Sequence, residues 1–283
     1  METLIVHDSV PSLLTKLKND TAKKLHILAD FDRTLTKAKN IWSLISILYT
    51  QGHLSPEYQR QAQALHDHYL PIEKDETIPL EERKQAMVEW WREHKELLIK
   101  EWLTKDHIYE AMKSEKLELR EWYQKFFSLL HEHRIPLVIL SAGWLWILSI
   151  EMYLKNHNAR LDNIFLVGND FIRDEAGKAI DFKKPLIHSM NKSETVLKDF
   201  PEIYEKIHER KNVILLGDSP SDVQMIDGFA YDTLLKIGFL NTDDERTKEK
   251  FMQLYDVLIL QDGSLEYVSE ILNSILFPYD DHN

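Results

Sequence analysis

Short apolar runs alternate along the chain with longer stretches in which apolar residues recur every three or four positions. Four uninterrupted apolar runs are typical of strands that are covered on both faces, as in a parallel sheet. They occupy residues 25–29, 134–141, 212–217 and 256–261. The pattern predicts an α/β fold with a mostly parallel sheet and helices on both of its faces.

Between the first and second runs the periodicity becomes helical. This block is rich in Glu, Lys, Gln, His and aromatic residues, and its apolar residues are spaced by three and four. Residues 80–98 alone have the pattern of one long amphipathic helix. We therefore predict an all-helical insert at residues 41–131, within a core formed by residues 1–40 and 132–283.

After the second run the pattern alternates again between helix and strand, as expected for successive crossover units. Helical spacing covers residues 145–157, 193–210 and 265–277, and a strand-like stretch covers residues 164–173. Glycine in the segment that follows predicts a turn at residues 175–178.

Acidic and hydroxyl side chains stand where the predicted strands end. Asp30 and Asp32 follow the first run, Ser141 ends the second, and Asp218 and Asp222 follow the third. Ligands of open α/β sheets bind beyond the carboxyl ends of the strands, so these side chains have the layout of an active site. The first two acids point to the same side of the chain. Such a pair suits a nucleophile beside a general acid, with a divalent cation between them.

Each of these residues also has a purely structural explanation. An Asp pair is common in a solvated turn, so Asp30 and Asp32 alone are ambiguous. Ser141 could cap the following helix. Asp222 could be an acid at a helix N-terminus, where the helix dipole favours it. What favours the functional explanation is the recurrence of such residues at successive strand ends.

Composition and charge exclude several classes of function. The chain of 283 residues has a formal net charge of −12, which argues against nucleic acid as a partner because phosphate backbones bind basic surfaces. The absence of cysteine excludes disulfides, thiolate catalysis and zinc–sulfur sites. The N-terminus lacks the pattern of a signal peptide, and no apolar segment is long enough to span a bilayer. We expect a cytoplasmic protein with no membrane partner.

Four motifs together resemble those of the haloacid dehalogenase (HAD) superfamily. They are Asp30-Phe-Asp-Arg-Thr, Ser141, Lys192 and Gly217-Asp218-Ser-Pro-Ser-Asp222. Further segments resemble the cytosolic pyrimidine 5′-nucleotidases of the cytosolic 5′-nucleotidase III type. They are Tyr69-Leu-Pro-Ile-Glu73 and residues 87–91, 186–192 and 236–241. The resemblance implies a Rossmann-like core, with the helical insert forming a cap over the phosphate site.

The resemblance also implies roles for the acids. Asp30 would be the nucleophile that takes up the phosphoryl group as an aspartyl-phosphate. Asp32 would protonate the leaving nucleoside oxygen and then activate water. Mg²⁺ would be the cofactor, bound by Asp30, the backbone carbonyl of Asp32 and Asp218. Asp222 would support the site by orienting Lys192 or a metal-bound water.

The remaining predicted site residues would bind the substrate. Ser141 and the backbone amides after it, beginning with Ala142, would hold phosphate oxygens, and Lys192 would reduce the repulsion between the phosphate and the nucleophile. In the cap, Glu73 would hydrogen-bond to the edge of the base and Trp91 would stack on it, with Trp90 as a further contact. The alternative for both tryptophans is ordinary packing.

The predicted cap has to move, because water must be excluded during phosphoryl transfer and admitted afterwards. We expect its hinges near residues 37–41 and 131–135. The sequence departs from the family pattern at Arg33, which puts a basic side chain beside the nucleophile, and at Trp144 and Trp146. These two tryptophans could narrow the pocket, pack in the core or face a partner.

The sequence thus predicts a Mg²⁺-dependent nucleoside 5′-monophosphate phosphatase that favours pyrimidine nucleotides and acts as a monomer. Phosphotransfer to an acceptor nucleoside is a further activity that a covalent intermediate allows. One alternative is a phosphatase for 7-methylguanosine monophosphate or another small phosphate. Another is a non-catalytic binding or effector protein on the same scaffold, against which the intact acid pair argues.

Overall fold

A computed structural model of the protein describes residues 4–20, 22–39, 44–113, 117–143 and 147–278. Trp144 and Trp146 therefore lie outside the described residues. The strands are β1 (Leu4–Val6), β2 (Leu25–Ala29), β3 (Leu137–Ser141), β4 (Ile164–Gly168), β5 (Phe171–Arg173), β6 (Ala179–Phe182), β7 (Asn212–Gly217), β8 (Thr233–Leu240) and β9 (Val257–Leu260). The α-helices are α1 (Val10–Asn19), α2 (Leu44–Thr50), α3 (Pro56–Lys74), α4 (Leu80–Lys100), α5 (Lys105–Ala111), α6 (Tyr123–Glu132), α7 (Ile147–Asn156), α8 (Pro201–Ile207), α9 (Glu245–Leu254) and α10 (Glu266–Leu276).

Seven strands form one sheet in the order β1-β9-β8-β7-β2-β3-β4, and β5 pairs with β6 in a separate hairpin. Every neighbouring pair in the large sheet is parallel except β1 and β9. The chain runs outward from β2 on one side through β3 and β4, and on the other through β7, β8 and β9. The loop after β2 therefore lies at the topological switch point, where open α/β sheets bind ligands.

Burial confirms that the central strands are covered on both faces. All residues of β2, β3 and β7 are buried. Within β2, Ile27 and Ala29 belong to one apolar cluster and Leu28 to another, as alternation across a sheet requires. The predicted α/β fold with a mostly parallel sheet is confirmed.

Within the described residues 44–113, the insert after β2 consists of the helices α2, α3, α4 and α5, which are joined by turns and short loops. Its two long helices, α3 and α4, pack against each other. Ser55 caps α3 by accepting a hydrogen bond from the backbone N–H of Tyr58 at 3.0 Å, and Thr104 caps α5 in the same way. Among the described residues, no helix has both the length and the apolar character needed to cross a membrane.

Two neighbouring segments carry the chain into and out of the insert. Thr36 pairs with Leu119 in an antiparallel bridge, and the backbone N–H of Lys37 donates to the carbonyl of Glu118 at 2.8 Å. After this point α6 packs against α10 of the core. The division into core and cap at residues 40 and 131 remains a prediction. These contacts favour a return crossing near residue 120, with α6 as part of the core.

Several elements differ from the sequence prediction, and β1, α1, β6 and α9 were not predicted. The stretch 164–173 is two strands, because the side-chain amide of Asn169 hydrogen-bonds the backbone of Ile187 in both directions at 2.8 Å and ends β4. The helix predicted at 193–210 is a 3₁₀ turn followed by α8, which begins at Pro201. The prediction missed β8, in which Lys236 and Gly238 interrupt the apolar pattern.

Candidate active site

Asp30 occupies the first position after β2 and is 7% exposed. Its backbone N–H donates to the carbonyl of Leu216 on β7 at 3.0 Å, so the sheet ladder holds it in place. The chain then turns tightly: the N–H of Leu35 bonds back to the carbonyl of Phe31 at 3.0 Å, and the N–H of Arg33 donates to Thr36 Oγ1 at 2.8 Å. This turn keeps Asp30 and Asp32 at the switch point of the sheet.

Lys192 is a buried lysine between two carboxylates. Its Nζ donates to Asp30 Oδ1 at 2.5 Å and to Asp222 Oδ1 at 2.9 Å. Burial opposes the charge on Lys192, but Asp222 and Asp30 outweigh it and raise the pKa of the ammonium. Burial raises the pKa of Asp30 to about 6, although Lys192 favours its ionised form. The structure thus brings together two predicted site residues that are 162 positions apart.

Asp222 links Lys192 to the loop after β7. Its Oδ2 accepts hydrogen bonds from the backbone N–H groups of Asp218 and Ser219, each at 3.0 Å. Gly217 makes this geometry possible, because a Cβ there would collide with the Asp222 side chain. Asp222 is thus a member of the site rather than only an acid at a helix start.

Three carboxylates converge at this point and fit a divalent cation. One oxygen each of Asp30, Asp218 and Asp222 lies within 4.8 Å of the others. Burial raises the pKa of Asp218 well above its ordinary value, and the neighbouring Asp222 and Asp30 add to the shift. Such crowded buried anions and their all-oxygen donor set suit a hard cation such as Mg²⁺. Because Asp222 already accepts hydrogen bonds at both oxygens, Asp30 and Asp218 are the better placed ligands.

The end of β3 supplies the opposite side of the site. Ser141 is buried, and its Oγ accepts a hydrogen bond from the backbone N–H of Gly143 at 3.1 Å. A Cβ on Gly143 would lie 3.2 Å from both Ser141 Oγ and Asp32 Oδ2. The hydroxyl and the second acid therefore converge on the same glycine. Ala142 lies between Ser141 and Gly143 in sequence and is partly buried against the core.

Arg33, the basic departure from the family pattern, faces Asp218 in this structure. Its Nε lies 3.5 Å from Asp218 Oδ2, and its side chain is 35% exposed. Arg33 favours the ionised form of Asp218 and so opposes the upward shift of that pKa. The guanidinium therefore offsets part of the negative charge of the site.

The cap residues predicted to contact the base lie in an aromatic cluster. Tyr69, Met87, Trp90 and Trp91 form its buried part. The ring of Trp90 stacks on Tyr69 at 5.8 Å between centroids, whereas Trp91 meets Trp90 and His188 with ring edges. The face of Trp90 thus packs within the cap, and Trp91 is the tryptophan directed toward the core.

Residues 186–192, called here the bridging segment, connect this cluster with the acids of the candidate site. Ser189 Oγ donates a hydrogen bond to Glu73 Oε1 across the two parts of the chain. Leu186 and Met190 pack against the aromatic cluster, and the segment ends at Lys192. Glu73 and Trp91 therefore lie on the side of the cap that faces the acids of the candidate site.

Sequence reasoning missed two residues near the site. Tyr255 donates its hydroxyl to the carbonyl of Ser219 at 2.6 Å. The hydroxyl lies against Gly217 and the ring against Gly238, and these two glycines are partners in the β7–β8 register. The signal was present as glycines at paired strand positions, where a large side chain from elsewhere can lie close to the backbone. Arg120, the second residue, had no comparable signal.

A family model and the known relatives classify the chain. The model of the pyrimidine 5′-nucleotidase (UMPH-1) family matches residues 31–276. The chain belongs to this family. The nucleotidase is 34% identical to the Xenopus laevis 7-methylguanosine phosphate-specific 5′-nucleotidase A, over 93% of this chain and 91% of the relative. The human 7-methylguanosine phosphate-specific 5′-nucleotidase is also 34% identical, over 94% and 90%. The predicted enzyme class, a phosphoric monoester hydrolase, is confirmed.

Solved structures agree with this classification. The crystal structure of cytosolic 5′-nucleotidase IIIB bound to cytidine superposes with a TM-score of 0.84 at 27% identity, over 97% of the nucleotidase and 94% of that chain. A substrate-bound phosphoserine phosphatase, at 20% identity and a TM-score of 0.51, shares the fold alone. The predicted resemblance to HAD-type 5′-nucleotidases is confirmed.

Proposed function

We propose that the nucleotidase hydrolyses nucleoside 5′-monophosphates through a phosphoryl group carried transiently on Asp30. The observation that carries this proposal is the buried contact of Lys192 with Asp30 and Asp222, beside Asp218, at the switch point of the sheet. A lone buried carboxylate would be costly. A carboxylate paired with an ammonium in a site that fits a cation is suited to attack an anionic phosphate.

The proposed reaction has two steps, transfer of the phosphoryl group to Asp30 and its hydrolysis. An oxygen of Asp30 attacks phosphorus, the new O–P bond forms, and the bond from phosphorus to the 5′ oxygen breaks. Asp32 gives its proton to that leaving oxygen and becomes a carboxylate. It then takes a proton from water, whose oxygen attacks the phosphorus and releases phosphate from Asp30. The 3.2 Å approach of both Asp32 Oδ2 and Ser141 Oγ to the Cβ position of Gly143 supports a place for the phosphoryl group between them.

The remaining core residues orient the phosphate. Ser141 donates its hydroxyl to a phosphate oxygen, and the backbone amide of Ala142 donates to another. Lys192 places a positive charge beside the attacked group, and Asp222 keeps that ammonium in position. Asp30, Asp218 and the backbone carbonyl of Asp32 would hold Mg²⁺. When bound, the cation would offset the negative charges of Asp30 and the phosphate and so reduce the repulsion between them.

Base recognition falls to Glu73 and Trp91, and two kinds of base suit them. The amino group of cytosine can donate to the Glu73 carboxylate, in line with the pyrimidine 5′-nucleotidase family name and the cytidine bound to the structural relative. The 7-methylguanine base carries a positive charge that a carboxylate and an indole face both attract. Relatives at 34% identity are named for that substrate. We propose pyrimidine and 7-methylguanosine monophosphates as the two candidate substrates.

Release of inorganic phosphate tests the proposal. The purified chain is incubated with CMP, UMP, 7-methylguanosine monophosphate, AMP and ribose 5-phosphate, with Mg²⁺ or with EDTA. We expect turnover of at least one of the two candidate classes, loss of turnover in EDTA and recovery on adding Mg²⁺. Turnover that survives EDTA contradicts the cation site, and equal turnover of ribose 5-phosphate contradicts base recognition.

Location and association remain predictions. We propose a cytosolic location, as in the relative named putative cytosolic 5′-nucleotidase 3 of Caenorhabditis elegans, which is 30% identical over 97% of this chain. We also propose that the protein is a monomer whose partner is its small-molecule substrate. Adding an acceptor nucleoside to the phosphate-release assay would reveal phosphotransfer as labelled nucleotide product.

A further inference from the structure

Arg120 is a fully buried arginine whose guanidinium donates hydrogen bonds to loops beside the candidate active site. It lies between α5 and α6, where the chain returns from the cap. A guanidinium has five N–H donors in a fixed plane, and burying it without acceptors would be costly. Burial lowers the pKa of Arg120 to about 10, with Asp262 and Asp218 opposing the shift, so the group remains charged at neutral pH.

Five neutral oxygens accept from this guanidinium. Nε donates to the carbonyl of Thr34 at 2.7 Å, and Nη2 donates to the carbonyl of Arg33 at 2.7 Å and to Asn241 Oδ1 at 2.9 Å. Nη1 donates to the carbonyls of Gly263 at 2.7 Å and Gln261 at 3.5 Å. Its Cζ also lies 4.2 Å from the centroid of the Phe239 ring, as in a cation–π contact.

These acceptors share one location in the fold. Residues 33 and 34 follow β2, Asn241 follows β8, and residues 261–263 follow β9. All three segments begin at the carboxyl ends of neighbouring or nearby strands, where the acids gather. Arg120 therefore joins, through hydrogen bonds, three loops that are far apart in the sequence.

The loop after β2 needs such a restraint. Arg33 has a φ of 64°, a left-handed backbone conformation that is unfavourable for a residue with a Cβ. Its carbonyl accepts from both Arg120 and Asn241 Nδ2, the latter at 3.1 Å. Asp32 is the residue immediately before, so fixing the Arg33 carbonyl restrains the neighbouring peptide, which carries the Asp32 carbonyl, and with it the position of the predicted acid.

The backbone of Arg120 is also part of the crossing between cap and core. Its N–H donates to the carbonyl of Leu35 at 2.9 Å, next to the bridge between Thr36 and Leu119. One residue thus contacts the crossing with its main chain and the catalytic loop with its side chain.

We propose that Arg120 is a positioning residue for the reaction, which holds the turn after Asp30 in the geometry that catalysis requires. This inference rests on the proposed function. This role requires an arginine. A lysine would keep the positive charge, but its three donors lie on one nitrogen and cannot reach three loops at once. Displacing the turn by a fraction of an ångström would misplace both acids relative to the phosphate.

Arg210 offers a matched control at the opposite end of β2. Its Nη1 donates to the carbonyls of Ala22 and Leu25 at 3.0 and 2.9 Å, and its Nη2 donates to the carbonyl of Arg134 at 3.2 Å. It also joins loops through backbone oxygens, but at the amino ends of the strands, away from the acids. A purely structural role of such an arginine should therefore appear in both variants.

The experiment compares Arg120→Lys with Arg210→Lys in the full chain. We measure kcat and KM for the best nucleotide, the melting temperature, and hydrogen exchange of the amides in residues 31–37. For Arg120→Lys we expect kcat to fall about tenfold or more, with KM changed far less, and faster exchange in that segment. For Arg210→Lys we expect kcat within about twofold of the wild type, whatever its melting temperature.

Asn241→Ala covers the case in which Arg120→Lys fails to fold. It removes one acceptor of Arg120 and one donor to the Arg33 carbonyl, so a smaller loss of kcat and faster exchange at residues 31–37 are expected. A folded Arg120→Lys or Asn241→Ala variant with wild-type kcat, or with unchanged exchange in that segment, overturns the role of Arg120. Equal kcat losses in both lysine variants overturn it as well. A wild-type protein without nucleotide turnover instead overturns the proposed function.

Discussion

The acidic cluster at the edge of the core and the aromatic cluster of the cap are both largely buried, but the first is made of charged side chains and the second of apolar ones. The core edge concentrates Asp30, Asp218, Asp222 and Lys192, whose charges compensate one another across long sequence distances. The cap cluster concentrates Tyr69, Met87, Trp90 and Trp91, which pack through rings and apolar groups. Because of this difference, we expect substitutions in the two regions to affect different properties of the protein. Changes in the core should affect the chemical step, and changes in the cap should affect the choice of substrate.

The largest effect is expected for Asp30→Asn. The amide has nearly the same shape but cannot act as a nucleophile, so kcat should fall by about four orders of magnitude or more. Circular dichroism and the melting temperature should show a folded protein. A folded variant that still releases phosphate at a comparable rate would remove the nucleophile assignment.

Lys192→Met would test whether charge compensation stabilises the core edge as well as serving the reaction. Removing the ammonium leaves Asp30 and Asp222 buried without their cation, so we expect a loss of about 3 kcal/mol in the free energy of unfolding. We also expect kcat to fall by about two orders of magnitude.

Lys95→Met is the control for this change. Lys95 pairs with Asp181 at 3.0 Å across the surface between α4 and β6, so its loss should cost less than about 1 kcal/mol. Urea unfolding measures both stabilities. Equal losses in the two variants would contradict a special role for the buried cluster.

Trp91→Ala should separate recognition from chemistry. Loss of stacking should raise KM for nucleotides by about tenfold or more, because base–aromatic stacking is worth about 1–3 kcal/mol. The KM for a generic aryl phosphate should rise far less. The control is Trp102→Ala, since Trp102 is 62% exposed and lies under Lys178 rather than near the site. If KM rises equally for the nucleotide and the aryl phosphate, the stacking role of Trp91 is wrong.

The last prediction concerns pH and the cap alone. His94 of α4 is buried against Tyr58, and burial lowers its pKa to about 3. The unfolded chain takes up this proton near pH 6.5, so the unfolded state binds more protons and stability falls as the pH falls below that value. By pH 5 the loss from His94 should reach about 2 kcal/mol.

His94→Gln removes this titration. Its stability should therefore decline less between pH 7 and pH 5 than that of the wild type, even if the variant is less stable throughout. Denaturant unfolding at a series of pH values makes the comparison. Parallel profiles for the two proteins would show that His94 is accessible to protons in the folded cap.

The periodicity of the chain determined the class of the fold and the strand ends at which the acids stand. This was possible because fully covered strands need continuous apolar runs, as in β2, β3 and β7, and because a parallel sheet presents its carboxyl ends on one side. The Asp30 motif was likewise predictable from local sequence, and Lys192 was predicted from the order of the motifs in the family that the chain resembles. Patterns of this kind are local, and the residues that produce them are close together in the chain.

Only the tertiary structure decided which distant groups meet. The contact of Lys192 with Asp30, the pairing of Arg33 with Asp218, the bond from Ser189 to Glu73 and the position of Tyr255 depend on how loops pack against one another. Arg120 is the clearest case: as a lone arginine between helices it has no periodicity or motif. Its five acceptors come from three loops, and only the folded chain brings their carbonyl and amide oxygens around one guanidinium.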